Sequence, residues 1–260
     1  MMMENFDISI VGPALVAGIL VLTTHVPMGR EVLKRGIIFI DLAVAQIAGL
    51  GVIAADMLHL GVHGWGVQVA AVTAAVAGAL LLTWTEKRFP QTQEALIGAL
   101  FVLAATGGIL LLSNNPHGSE QLKDLLVGQI LWVSLGQLLP VALLYAAVLV
   151  LWFGFRQRLG RVGFYLLFAV TVTASVQLVG VYLVFASLII PALATRALPQ
   201  VKALILAFLL GVAGYLCGVV LSALFDLPTG AIIVWSLAVL GLIMGIAVHG
   251  LNGRPSESNA

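Results

Sequence analysis

Asp41 and Gln46 both lie inside one apolar run, residues 36–58, where an ionisable or amide side chain is costly and therefore a candidate for function. Each has two readings: a group lining a transport path, or a group hydrogen-bonded between helices. Five residues on a helix separate two side chains by about 140°, so they are not natural co-ligands. At the end of the same run Asp56, His59 and His63 follow at spacings of three and four, and His117, Glu120 and Asp124 fall in a later polar break. Imidazole with carboxylate suits zinc, manganese and similar divalent ions. Asp56, His59, His63, His117 and Glu120 are thus a candidate set for collecting a metal at the outer mouth. The alternative is a group of ordinary loop polar residues, since Gly61 and Gly64 interrupt a continuous helix there. His25 and His249 read as structural. The chain contains no G-x-S-x-G, H-E-x-x-H or G-x-x-x-x-G-K-[ST], so nothing marks it as an enzyme or as a hydrolase of ATP.

These residues must be positioned by elements that live in lipid. Apolar residues make up 61% of the 260 and charged ones 9%, against about 25% charged in soluble chains, which excludes a water-soluble globule. Apolar runs cover residues 8–28, 36–58, 62–84, 94–112, 129–153, 162–194, 203–224 and 229–249. The expected fold is an all-α, polytopic membrane helix bundle over residues 1–251, with residues 252–260 as a short disordered cytoplasmic tail. The run 162–194 is too long for one helix across a ~30 Å core, and two passes of about 16 residues turning near 177–180 fit it better. With nine passes and an external N-terminus, eleven of the twelve basic residues lie inside; with eight passes, only eight do. Nine passes are expected, or eight if 162–194 is a single one, with the C-terminus cytoplasmic. Residues 1–7 carry no basic residue, so the first run reads as retained rather than as a cleaved signal. Ala71, Ala75 and Ala79, and beside them Ala70, Ala74 and Gly78, recur at four-residue spacing, which predicts close helix packing. A single cysteine, Cys217, excludes an internal disulfide, and nothing suggests a nucleic-acid partner.

Three stretches carry a family resemblance. Residues 180–194 (GVYLVFASLIIPALA) resemble the G-x-L-L-V-x-A-L-L-I-x-P-A motif of zinc/manganese-type ABC importer permeases. Residues 225–234 (FDLPTGAIIV) are similar to that family's D-x-P-T-G-A-x-I-V, and residues 126–134 (LVGQILWVS) to its L-x-G-x-I-L-x-V-S. The resemblance implies the inner-membrane translocation subunit of a bacterial importer for a divalent metal, zinc or manganese first. It implies a second copy of itself, a separate cytoplasmic ATPase that holds the ATP, and an extracytoplasmic metal-binding protein, with surrounding lipid and no cofactor of its own. Two departures bear on mechanism. Where the family reads F-x-G-D-A-L-S-H-A-x-L-P-G, this chain reads FIDLAVAQIAGLG over 39–51, with Leu42 in the Asp position, Asp41 one place early and Gln46 for the His. Where the family carries a D-P-x-x-A-x-x-x-G docking segment, only the short basic stretch 153–163 remains. Docking then falls to Arg156, Arg158, Arg161 or to Arg196 and the stretch up to Lys202. An ion-coupled secondary transporter using Asp41, or a permease for a metal chelate, are the competing readings, with a non-transporting scaffold behind them.

Overall fold

The computed structural model describes residues 8–58, 65–113 and 115–252, helices joined by turns and short irregular connections, with no strand among them. Ten α-helices follow in order: α1 (Ile8–Arg35), α2 (Ile40–Met57), α3 (Trp65–Arg88), α4 (Gln93–Leu112), α5 (Gly118–Val127), α6 (Leu135–Gly154), α7 (Arg156–Val179), α8 (Val181–Ala194), α9 (Gln200–Phe225) and α10 (Thr229–Asn252). In lipid every backbone group must find its partner within the segment, which is why the apolar runs close into helices. Eight of them are long and apolar enough to cross a membrane; α5 is short and amphipathic, and α8 has 14 residues, about 21 Å at 1.5 Å rise. Of the expected tail, residues 252–260, Asn252 ends α10 and residues 253–260 lie outside the described residues.

The run 162–194 does divide, but unequally. The break is at Gly180 (φ 82°, ψ 162°), and α7 is a full-length helix because it starts in the basic stretch at Arg156, not at residue 162. Surface arginines are good helix formers, so basicity did not end the helix. A kink at Gly160 (φ 57°, ψ −156°) marks where the polar opening turns meet the apolar run.

α1 runs through the centre, packed on α6, α7, α8 and α9; α2 sits between α3 and α4, and α10 covers α8 and α9. Ala71, Ala75 and Ala79 are fully buried. In the neighbouring column Gly51 of α2 abuts Ala74 and the Ala70 carbonyl, and Gly78 abuts Ile47. Close approach through small residues is how lipid-embedded helices gain packing when no hydrophobic driving force separates protein from lipid.

Candidate functional site

Gln46 lies in the second turn of α2, half-buried, and lines a small cavity. Its other walls are apolar: Ala45, Gly49, Leu50 and Ile53 of α2, Ala104, Ala105 and Gly108 of α4, Leu122, Leu125 and Leu126 of α5, Val176 of α7 and Val181 of α8. The space left for the centre of a water-sized sphere is only ≈ 10 Å³, about enough for one water. Among the described residues the Gln46 amide makes no hydrogen bond. An amide with four hydrogen-bonding positions thus faces a space closed by three leucines of α5.

Asp41 is fully buried in the first turn of α2 and does not share that cavity. Neither carboxylate oxygen makes a hydrogen bond of good geometry; the donors beside it are the N–H groups of Asp41 and Leu42 themselves. The helix N-terminus is the favourable end for an anion. A second carboxylate shares that end: Glu94 Oε1 accepts the Phe39 N–H at 3.2 Å, while Glu94 Oε2 is buried without a partner. Glu94 was invisible to sequence reasoning because it marks only the start of an apolar run, and its contact is with backbone 55 residues away.

At the opposite end of α2, Asp56 Oδ2 accepts from Gln121 Nε2 of α5 at 3.5 Å, and Gln121 in turn accepts from Asn115 Nδ2 at 3.2 Å. His117 Nδ1 stands 3.9 Å from Glu120 Oε2, both exposed. His59 and His63 lie outside the described residues. Among the described residues no three His, Cys, Asp or Glu side chains converge on a point suited to a metal ion. Gln121, missed in the sequence, lies on the short amphipathic helix α5, and its pairing with Asp56, 65 residues away, has no signal in local spacing.

α5 is held by a backbone junction in which the three sequence motifs meet. Gly128 ends α5 at φ 73°, ψ 170°, and a Cβ there would fall on the Val179 carbonyl and the Gly180 nitrogen. A Cβ on Gly180 would fall on Val127 and Gly128, and one on Gly230, at the start of α10, would stand 2.7 Å from the Val127 carbonyl oxygen. Both conformations belong to a region essentially reserved for glycine. The end of α5, the α7–α8 break and the start of α10 therefore touch through bare backbone, one turn from the leucines that close the Gln46 cavity.

The basic residues cluster at the other end. Arg161 Nε stands 3.9 Å from Glu86 Oε1, Arg158 is exposed, and Arg156 opens α7. Arg196 lines an open groove between α8 and α10, with Leu193, Gly241 and Gly245. Arg35 pairs with Glu31 at 3.1 Å and lies 4.3 Å above the Phe164 ring.

The family described as ABC 3 transport family matches residues 7–164 and 154–248. The Manganese transport system membrane protein MntC of Halalkalibacterium halodurans is 29% identical, over 85% of this chain and 81% of that protein. The Probable iron transport system membrane protein of Haemophilus influenzae is 27% identical, over 65% and 67%. The structure of PsaBC from Streptococcus pneumoniae in complex with Fab covers 94% of this chain and 95% of that one with a TM-score of 0.75 at 22% identity, a likeness of fold.

Proposed function

This chain belongs to the ABC 3 transport family, and from that premise we propose that it is the inner-membrane permease of an ATP-driven importer for a divalent metal, manganese before zinc. The observation that supports it is Gln46: an unpartnered amide in the position of the family's metal-pathway histidine, facing a cavity that α5 closes. A carbonyl oxygen suits manganese better than zinc, which favours imidazole and thiolate. The name of the relative MntC points the same way. In this reading α5 is the barrier, and its glycine junction ties it to α7, α8 and α10, so that it is displaced when they shift as the bundle rocks.

Two copies would form the pathway, with the basic end facing the cytoplasm, the orientation the positive-inside bias favours. Arg156, Arg158, Arg161 and Arg196 would meet a separate ATPase there. Asp56, His117 and Glu120, with His59 and His63, would receive the ion from a binding protein at the outer end. Asp41 supports the pathway from the other end of α2.

The test is uptake of manganese, zinc, iron and cobalt into vesicles holding this chain, with and without candidate ATPase and binding-protein subunits. Partner- and ATP-dependent accumulation of manganese is the expected result. Accumulation driven by a proton gradient with no ATPase would overturn it in favour of ion-coupled transport through Asp41, the reading its unpartnered buried carboxylate favours.

A further inference from the structure

Two hollows on one flank of the bundle run into each other along α1. The larger and more open, with room of ≈ 190 Å³ for water-sized spheres, is lined by Leu22, Val26, Pro27, Phe153, Leu204 and Phe208; Thr23, its polar member, already donates to the Leu20 carbonyl at 2.6 Å. The second, more enclosed and with room for only ≈ 20 Å³, shares Pro27, Phe153 and Leu204 with it and adds Trp152, Arg30, Lys34, Gln200 and the Glu31 carboxylate. An apolar groove thus opens directly beneath a polar rim. Leu22 precedes Arg30 by eight residues, so the groove reaches about 12 Å below the guanidinium along the helix axis.

Three features of the rim favour an anion, against the one carboxylate, Glu31, that also lines it. Arg30 gives Nη1 to the Thr195 carbonyl at 3.3 Å, one of five N–H donors. Lys34 is exposed and forms no ion pair among the described residues, while the neighbouring Glu31 is bound to Arg35. Gln200 is the first residue of α9, whose cap position is Pro199, and no side chain caps the N–H groups of that 26-residue helix. The positive end of its dipole is therefore left open beside the two cations.

We propose that this flank binds an anionic phospholipid of the surrounding membrane, its phosphate held by Arg30, Lys34 and the α9 N-terminus and one acyl chain laid in the α1–α6–α9 groove. A free anion would use the rim alone, and a protein partner would not need a groove descending into the hydrocarbon. Basic pockets above apolar grooves between helices are the geometry lipid headgroup recognition uses, with each cation near an anionic lipid changing binding roughly fivefold.

The experiment is native mass spectrometry of the purified permease in detergent. It is titrated with phosphatidylglycerol, with phosphatidylcholine of the same acyl chains, and with inorganic phosphate. Phosphatidylglycerol is expected to bind several-fold more tightly than phosphatidylcholine, and Lys34→Gln to weaken it about fivefold while leaving phosphatidylcholine unchanged. Leu204→Trp, which fills the groove, weakens both lipids. Arg30→Gln also breaks the Thr195 contact, so Lys34→Gln is the cleaner variant. Equal binding of the two lipids, or indifference to Lys34→Gln, overturns the proposal. So does inorganic phosphate displacing phosphatidylglycerol with no effect of Leu204→Trp, which would leave an anion pocket that holds no lipid.

Discussion

Gly180→Ala is the sharpest perturbation of the junction that holds α5. At φ 82°, ψ 162° an L-residue sits in a region that costs about 1–3 kcal/mol. The added methyl also lands on the backbone of Val127 and Gly128, which cannot rotate away as a side chain would, adding about 1–3 kcal/mol of overpacking. Two other glycines separate these costs. Gly160 has φ 57° but open space around its Cβ, so Gly160→Ala carries the strain alone. Gly98, inside α4, has neither, so Gly98→Ala should be neutral or stabilising by about 0.5–1 kcal/mol. Thermal unfolding in one detergent at one scan rate, since such unfolding is a rate as much as an equilibrium, should rank the midpoints Gly98→Ala, wild type, Gly160→Ala, Gly180→Ala from highest to lowest. Several degrees should separate the last two. Gly180→Ala melting together with Gly160→Ala would refute the backbone contact, and melting with wild type would refute the left-handed conformation as well.

Gln46→Leu should cut metal uptake by on the order of tenfold or more while moving the unfolding midpoint little, because the amide makes no hydrogen bond to lose; Gln46→His should shift preference toward zinc, read from competition between the two ions. Asp41→Asn should leave stability unchanged or raise it by on the order of 2 kcal/mol, since no partner of the carboxylate is broken, and should lower uptake; a lower midpoint would show a partner the geometry lacks. Ser187→Ala removes the 2.9 Å bond to the Tyr215 hydroxyl between α8 and α9 and should cost about 0.5–1.5 kcal/mol, with Tyr215→Phe in that background adding little if the pair acts as a unit.

What could be read from the sequence follows from how each feature is encoded. Length and apolarity of a run are local, so the helices, and the presence of a break in 162–194, were legible. The break falls at Gly180, within the expected 177–180; the start of α7 at Arg156 was not legible, and Gln177 is still inside α7, where its amide oxygen accepts from Gln68 of α3 at 2.6 Å. The alanine columns of α3 were legible because four-residue spacing is itself the packing device. Partners across the fold were not. Glu94 beside Asp41, and Gln121 beside Asp56, depend on which helices become neighbours, and no spacing within one helix reports that.

The three motifs are the instructive case. Read along the chain, the glycines of 126–134, 180–194 and 225–234 are separate family marks around Gly128, Gly180 and Gly230. In space they are one contact, because only a residue without a Cβ lets the end of α5 rest on the α7–α8 break and on the first turn of α10. The rest of the motifs serves the same place: Val181 walls the Gln46 cavity beside Leu126, and the Ser134 backbone N–H, at the start of α6, donates to Gln137 Oε1 at 2.9 Å, fixing where the chain leaves the junction. The strongest resemblance in this chain therefore marks what holds α5 over the cavity. Gln46, which the proposed function places on the metal path and where the chain departs from the family's pattern, stands outside those motifs and is free to differ without disturbing that support.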